Sequence, residues 1–447
     1  MQKKSVFWLL FTLSIVLTLI TACGSNSSTS PSGSTKPVPT VPPGENLYVL
    51  DGYTPLGATS TTQHILAFHP EGANPSAFAT LPAGLVSLDH QRIYAATAEN
   101  GKTTISVINT QTGTTIRSLV ITGTYSTAGR NYTNSVLSSD GHWLALRALG
   151  QPDTQTTIAL IDTQAGKLAK TIQLSGNFEL DAISPDGNSL YLIEKLNDHS
   201  GNYNVRLYLV DQNQLYEYPI IDKTVANDNM SGGALTRQMS SDGRMAYTLY
   251  INTARNIAFI HMLPLDGSSF PFARCIDLPV GHSADRLHYY TLALSSDGTT
   301  LYAANGALGV VSEINVSGNG TDIFDDKLVA TVHFNSGDVS MTSADKTRML
   351  YNAAALSPDQ KTLYFAGMYG IRVVNTDDLH AQRSSLVRGN YLSQQAITGL
   401  ALSGDGRTLY AVDPAHGITL LNAATGQSLR VLQGPAQTPW GIEWIAG

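Results

Sequence analysis

Charge, cysteine and metal-ligand spacing are all scarce in this chain of 447 residues, and each scarcity excludes something. Only 14% of the residues are Asp, Glu, Lys or Arg, the net charge is −7, and no basic stripe is present, which argues against nucleic acid as a partner. There are two cysteines, Cys23 and Cys275. Cys23 closes an apolar N-terminal run. Cys275 lies in the apolar stretch from Phe272 to Leu278 and reads as a buried structural thiol. The 11 histidines are scattered, with no H-x-H or H-E-x-x-H pair, so neither a metal nor a cofactor is expected. His64 and His69 flank one strand and read as solvent residues. Asp322, Asp325 and Asp326 read as a solvated acidic loop in preference to a calcium site. No G-x-S-x-G elbow occurs; Gly281 to Asp285 comes nearest and lacks the closing glycine. No catalytic residue is assigned. Beyond residue 22 no apolar run is long enough to span a bilayer.

The N-terminus is organised differently from the rest. Lys3 and Lys4 precede an apolar run from Val6 to Ile20, and Ile20-Thr21-Ala22-Cys23 resembles a bacterial lipobox. The resemblance implies cleavage before Cys23, lipidation of that residue, and attachment to the outer face of the cytoplasmic membrane, or a periplasmic setting where an outer membrane exists. The other reading of the run is a plain transmembrane helix. Residues 24–45 are Ser, Thr, Pro and Gly with little else, a composition that buries no core and reads as a mobile tether.

From residue 46 onward one unit recurs. Its clearest copy is residues 402–432, where the Asp405-Gly406 turn is followed by the strand-forming run Leu409-Tyr410-Ala411-Val412. An apolar-Tyr pair stands four and five residues after Asp89, Asp186, Asp242, Asp297, Asp359 and Asp405. Asp140 keeps the apolar half in Leu144-Ala145. A serine precedes each of these aspartates by two residues: Ser87, Ser138, Ser184, Ser240, Ser295, Ser357 and Ser403. A period of roughly 40–50 residues with about four short strands predicts a β-propeller. An eighth second strand, Asn46 to Leu50, has no strand before it, and its missing partner is Gly441 to Ile445 at the other end of the chain. Eight four-stranded blades are therefore expected, closed by the two terminal strands sharing one blade; seven is the alternative count. Strict alternation would put Ile442 and Trp444 on one side of the closing strand and Glu443 and Ile445 on the other.

Residues 356–378, LSPDQKTLYFAGMYGIRVVNTDD, and 294–316, LSSDGTTLYAANGALGVVSEINV, resemble YVTN-type repeats. That family, related to lactonase-like propellers, implies a bacterial surface or periplasmic propeller over residues 46–447. The shared residues build turns and strands, so the resemblance does not carry a function.

The longer connections, at 122–133, 222–233, 280–290 and 334–351, lead into inner strands. In propellers that face usually carries the ligand site. A tyrosine stands six residues before the blade serine in three of them, Tyr132, Tyr289 and Tyr351, with Arg130, Arg286 and Arg348 just ahead. With His288, these residues form a candidate ligand site at the channel mouth, able to stack on and hydrogen-bond an anionic, sugar-like or peptide ligand. The alternative is that the rings pack between blades. A lactonase-like hydrolase would need His288 and Arg286 with Asp228 or Asp285. The chain reads first as a non-enzymatic, monomeric binding module for a protein, peptide, glycan or small anionic ligand. A lactonase-like hydrolase and a purely structural surface protein are the alternatives.

Overall fold

The computed structural model describes residues 44–58, 62–72, 74–127, 133–196, 201–222, 230–266, 271–317, 325–335, 340–380 and 387–447. The N-terminal run, Cys23 and the tether up to residue 43 lie outside them, as do Arg130, Tyr132, Asp228 and Asp322.

Eight antiparallel sheets form a β-propeller. From the channel outward, blade 2 runs Leu85–Val86, Arg92–Glu99, Lys102–Asn109 and Thr115–Thr122; blades 3 to 8 repeat this order along the chain. Blade 4 carries a fifth short strand, Met230–Ser231, against Asn202–Leu209. In blade 1 the order wraps across the termini. Asn46–Asp51, His64–Phe68 and Ala77–Pro82 come from the start of the chain, and the inner strand Pro439–Ala446 from its end. Eight is therefore the blade count. The core is a series of apolar layers between neighbouring blades, built from the alternate side chains of each sheet.

The Ser-x-Asp turns explain the recurrence. In all seven, the serine hydroxyl donates to the aspartate Oδ1 at 2.5–2.7 Å. The same serine oxygen accepts the N–H five residues on, at 2.9–3.0 Å. The aspartate Oδ1 accepts the N–H two residues on, at 3.0–3.1 Å. The residue after the aspartate adopts a positive φ, which is why it is glycine in five turns; His90 and Gln360 take the same conformation at φ 56° and 61°.

The closing strand departs from strict alternation. Tyr48 pairs with Trp444 and Val49 with Ile442, so Glu443 is an extra residue in a β-bulge. Ile442 consequently packs with Tyr410 and Val412 of blade 8, while Trp444 packs on the other side with Tyr48 and Ile93. The expectation that the two share a side is corrected by this bulge. Glu45 adds a tie to blade 8, accepting the Tyr410 hydroxyl at 2.5 Å and the Gly404 N–H at 3.0 Å.

Candidate functional site

The loop 334–351 contains the helix Ser343–Thr347, started by a reciprocal capping box between Thr342 and Asp345. Asp345 is enclosed. Burial alone would raise its pKa, but hydrogen bonds from Thr342 and Tyr369 and the Arg348 charge outweigh burial and hold it below the usual carboxylate range. Arg348 donates to Asp345 Oδ1 at 2.6 Å and to the Met368 carbonyl. Its guanidinium lies 5.6 Å from the Tyr289 ring centroid and 5.3 Å from that of Tyr369. Tyr289 is fully enclosed, and its hydroxyl donates to the Asp345 carbonyl at 3.0 Å. The sequence-predicted Arg348 and Tyr289 do meet, but across the blade 6–7 boundary and inside the protein. Neither offers surface at the mouth, so the three-ring convergence expected from spacing is not formed by Tyr289. The physical reason is that the repeat places this tyrosine where apolar area between blades is buried.

Arg286 and Tyr351 also make contacts within the protein, while Arg130 and Tyr132 lie outside the described residues. Arg286, in the 3-10 helix Ala284–Tyr289, donates to the Ala307 carbonyl at 2.6 Å. Tyr351 donates to Glu443 Oε1 at 2.5 Å and lies 5.9 Å from the Trp440 ring. His288 is half-buried; burial lowers its pKa, and its Nδ1 has no partner among the described residues. Asp285 pairs with Lys346 at 2.9 Å and its charge also acts on His288, while Asp228 lies outside the described residues. His64 pairs with Asp51 at 3.5 Å. Cys275 is half-buried, not enclosed as expected, and its N–H donates to Asp222 at 2.8 Å.

Among the described residues, an open space lies between blades 4 and 5. The inner strand of blade 4, Phe178–Ile183, carries Glu179 and Asp181, and a bulge at Asp181 interrupts its pairing. The inner strand of blade 5, Gly233–Met239, has a matching irregularity at Leu235. Arg237 bridges the two strands, donating to the Asp181 carbonyl at 2.7 Å, to Asp181 Oδ1, and through Nε to Thr248 at 2.7 Å. On the loop side of this bridge is a recess of about 250 Å³. On the turn side is a smaller one of about 170 Å³, lined by Val86, Val136, Met239 and other mostly apolar residues.

The larger recess has a polar rim. Lys195 Nζ sits 3.0 Å from Glu179 Oε2, with the two side chains 36% and 25% exposed. The Lys195 ammonium also lies 5.3 Å from the Tyr203 ring centroid. Tyr203 is 1% exposed, lines the recess, and its hydroxyl has no hydrogen-bond partner among the described residues. Burial, reinforced by Tyr250 and nearby carboxylates, drives its pKa far up, so it stays a neutral donor. Leu180, Ile193, Leu235 and Met349 supply apolar wall, Met349 from the loop leading into blade 7. Behind it, Arg237, Thr248, His261 and Cys275 stand directly opposite one another across blade 5. His261 is enclosed, neither ring nitrogen has a partner among the described residues, and burial lowers its pKa to about 4.

No family model matches the chain, and no curated protein matches it. Solved structures do. AztD from Citrobacter koseri is 12% identical, with 90% of this chain and 98% of that one covered and a TM-score of 0.50. The dihydro-heme d1 dehydrogenase NirN, in complex with DHE, is 15% identical over 92% of this chain and 77% of that one, also with a TM-score of 0.50. The periplasmic gluconolactonase PpgL of Pseudomonas aeruginosa is 15% identical over 79% and 99%, with a TM-score of 0.40. At such identities the likeness is one of fold.

Proposed function

We propose that this chain is an extracytoplasmic binding module, held to the membrane through Cys23, whose small polar ligand enters the recess between blades 4 and 5. One observation carries the reading. The scaffold holds a tyrosine whose enclosed hydroxyl has no partner among the described residues beside an openable ion pair, and tyrosine and pair both line vacant volume. A buried donor left without a partner costs stability, and a ligand that accepts from it recovers that cost. The N-terminal run ending in Ala22-Cys23 supports the placement, and the surface and periplasmic habit of the resembled family agrees with it.

The recess is tested with Gly233→Leu. This glycine lines the recess, its φ is not in the left-handed region, and a Cβ there meets nothing within 4 Å, so a side chain can be added without backbone strain. In a thermal-shift screen of small polar metabolites, a ligand is expected to raise the Tm of the wild type and leave Gly233→Leu unmoved. If every stabilising ligand acts equally on both, the recess is not the site. For the anchor, Cys23→Ser should release the protein from the membrane fraction or leave it unprocessed with a changed mobility. Identical processing and fractionation of wild type and variant would refute attachment through Cys23.

A further inference from the structure

We infer that the recess between blades 4 and 5 takes a free α-amino acid with an aliphatic side chain, bound as its zwitterion; this rests on the recess being the binding site. The first argument is charge balance. Each carboxylate facing the recess already has a cation, Lys195 for Glu179 and Arg237 for Asp181. A ligand with one net charge would leave one partner of the Lys195–Glu179 pair without its counter-charge where the bound ligand keeps water away. A zwitterion does not. Its ammonium faces Glu179 and its carboxylate faces Lys195, so both members of the 3.0 Å pair exchange one partner for another. That pair is partly exposed and holds itself together weakly, which lets it open.

The second argument is the Tyr203 hydroxyl, enclosed, neutral and without an acceptor among the described residues. The Lys195 ammonium stands 5.3 Å from the centre of the same ring, so a carboxylate that draws Lys195 to itself lies beside Tyr203. The third is the surface left over. Leu180, Ile193, Leu235 and Met349 suit an aliphatic side chain, and about 250 Å³ suits a ligand smaller than a drug-sized one. A sugar would ask for a free aromatic face. Lys195 covers that of Tyr203, while Tyr250 is stacked on Phe259 at 5.5 Å and abuts Tyr203 at 5.8 Å.

The test is titration calorimetry on the full chain with four probes. These are L-leucine, isopentylamine, which lacks the carboxylate, 4-methylpentanoate, which lacks the ammonium, and glucose. Leucine should bind, each single-charge analogue should bind at least about tenfold more weakly, and glucose should give no heat. Lys195→Met should weaken leucine by about tenfold or more. Tyr203→Phe should weaken leucine while raising the Tm of the unliganded protein, because it removes an enclosed donor that has no partner among the described residues. A purely structural tyrosine would not couple those two changes in opposite directions. No heat with leucine, equal binding of an analogue, or full affinity in Lys195→Met overturns the assignment. If glucose binds instead and Gly233→Leu abolishes it, the amino-acid assignment falls and the recess stands as a binding site. If Gly233→Leu leaves leucine binding intact, both fall.

Discussion

His261 shows what one enclosed side chain does to the pH range of the whole protein. Its ring is buried with neither nitrogen bonded among the described residues, and protonation would place a charge in that interior. Burial sets the folded pKa at about 4. Asp181 and Asp222 pull it up and Arg237 pushes it down, but neither effect matches burial. The unfolded ring titrates near 6.5. Because the folded value is the lower one, the unfolded chain binds more protons between these limits. Stability is therefore complete above pH 6.5 and declines as pH falls through the folded pKa. By pH 5 the loss from this group is about 2 kcal/mol. Burial also lowers His90 and His288, so wild type should be compared with His261→Leu. The variant's urea midpoint should fall less between pH 7 and 5. Parallel pH profiles would show that His261 is not the source.

Among elements, the loops entering blades 6 and 7 are the ones whose Tyr289 and Arg348 were legible and whose role was not. The spacing of Arg348 and Tyr289 ahead of their blades marked them as outside the repeat's turn chemistry, and they do touch. Spacing cannot say whether they touch at the mouth or within the wall. With Arg348 gone, the Asp345 carboxylate would remain buried without its cation, so Arg348→Ala should cost about 3–5 kcal/mol. Chemical denaturation measures that cost. A loss below about 1 kcal/mol together with loss of ligand binding would return Arg348 to the mouth. The recess left a different trace in the sequence. The inner strands of blades 3, 7 and 8 read SVL, AAL and GLAL, whereas blades 4 and 5 read FELDAI and GALTRQM. Charge on a channel-lining strand is the signal, shared with Glu443 on the inner strand of blade 1. What hid it was the irregularity at Asp181 and Leu235, because a bulge changes which face a residue occupies without changing the residue itself.

At the scale of the whole molecule, the blades were legible because the Ser-x-Asp turn must hold the same three hydrogen bonds each time, which leaves few residue choices. Ring closure was legible by subtraction, from a second strand lacking a first at one end and a first strand lacking a turn at the other. Removing residues 438–447 should open blade 1. Trp440, Ile442 and Trp444 are enclosed, and each large apolar side chain is worth roughly 1.5–3 kcal/mol. Together with the strand's hydrogen bonds, their loss takes most of a typical stability of about 5–15 kcal/mol. The truncated chain should melt far lower or fail to accumulate in soluble form, and a melting curve matching the full chain would show that the closing strand is dispensable.

The pairing of Asn46 with Ala446 sets the two ends of the described chain side by side on neighbouring strands, about 5 Å apart. In connectivity, the propeller is thus a circle cut at one place. A few residues joining Gly447 to Gly44 would seal that cut, and a new one could fall in an exposed hairpin such as Gln111–Gly113 with every ladder in the ring retained. Where the polypeptide starts is, for the blades, an arbitrary point on a closed path.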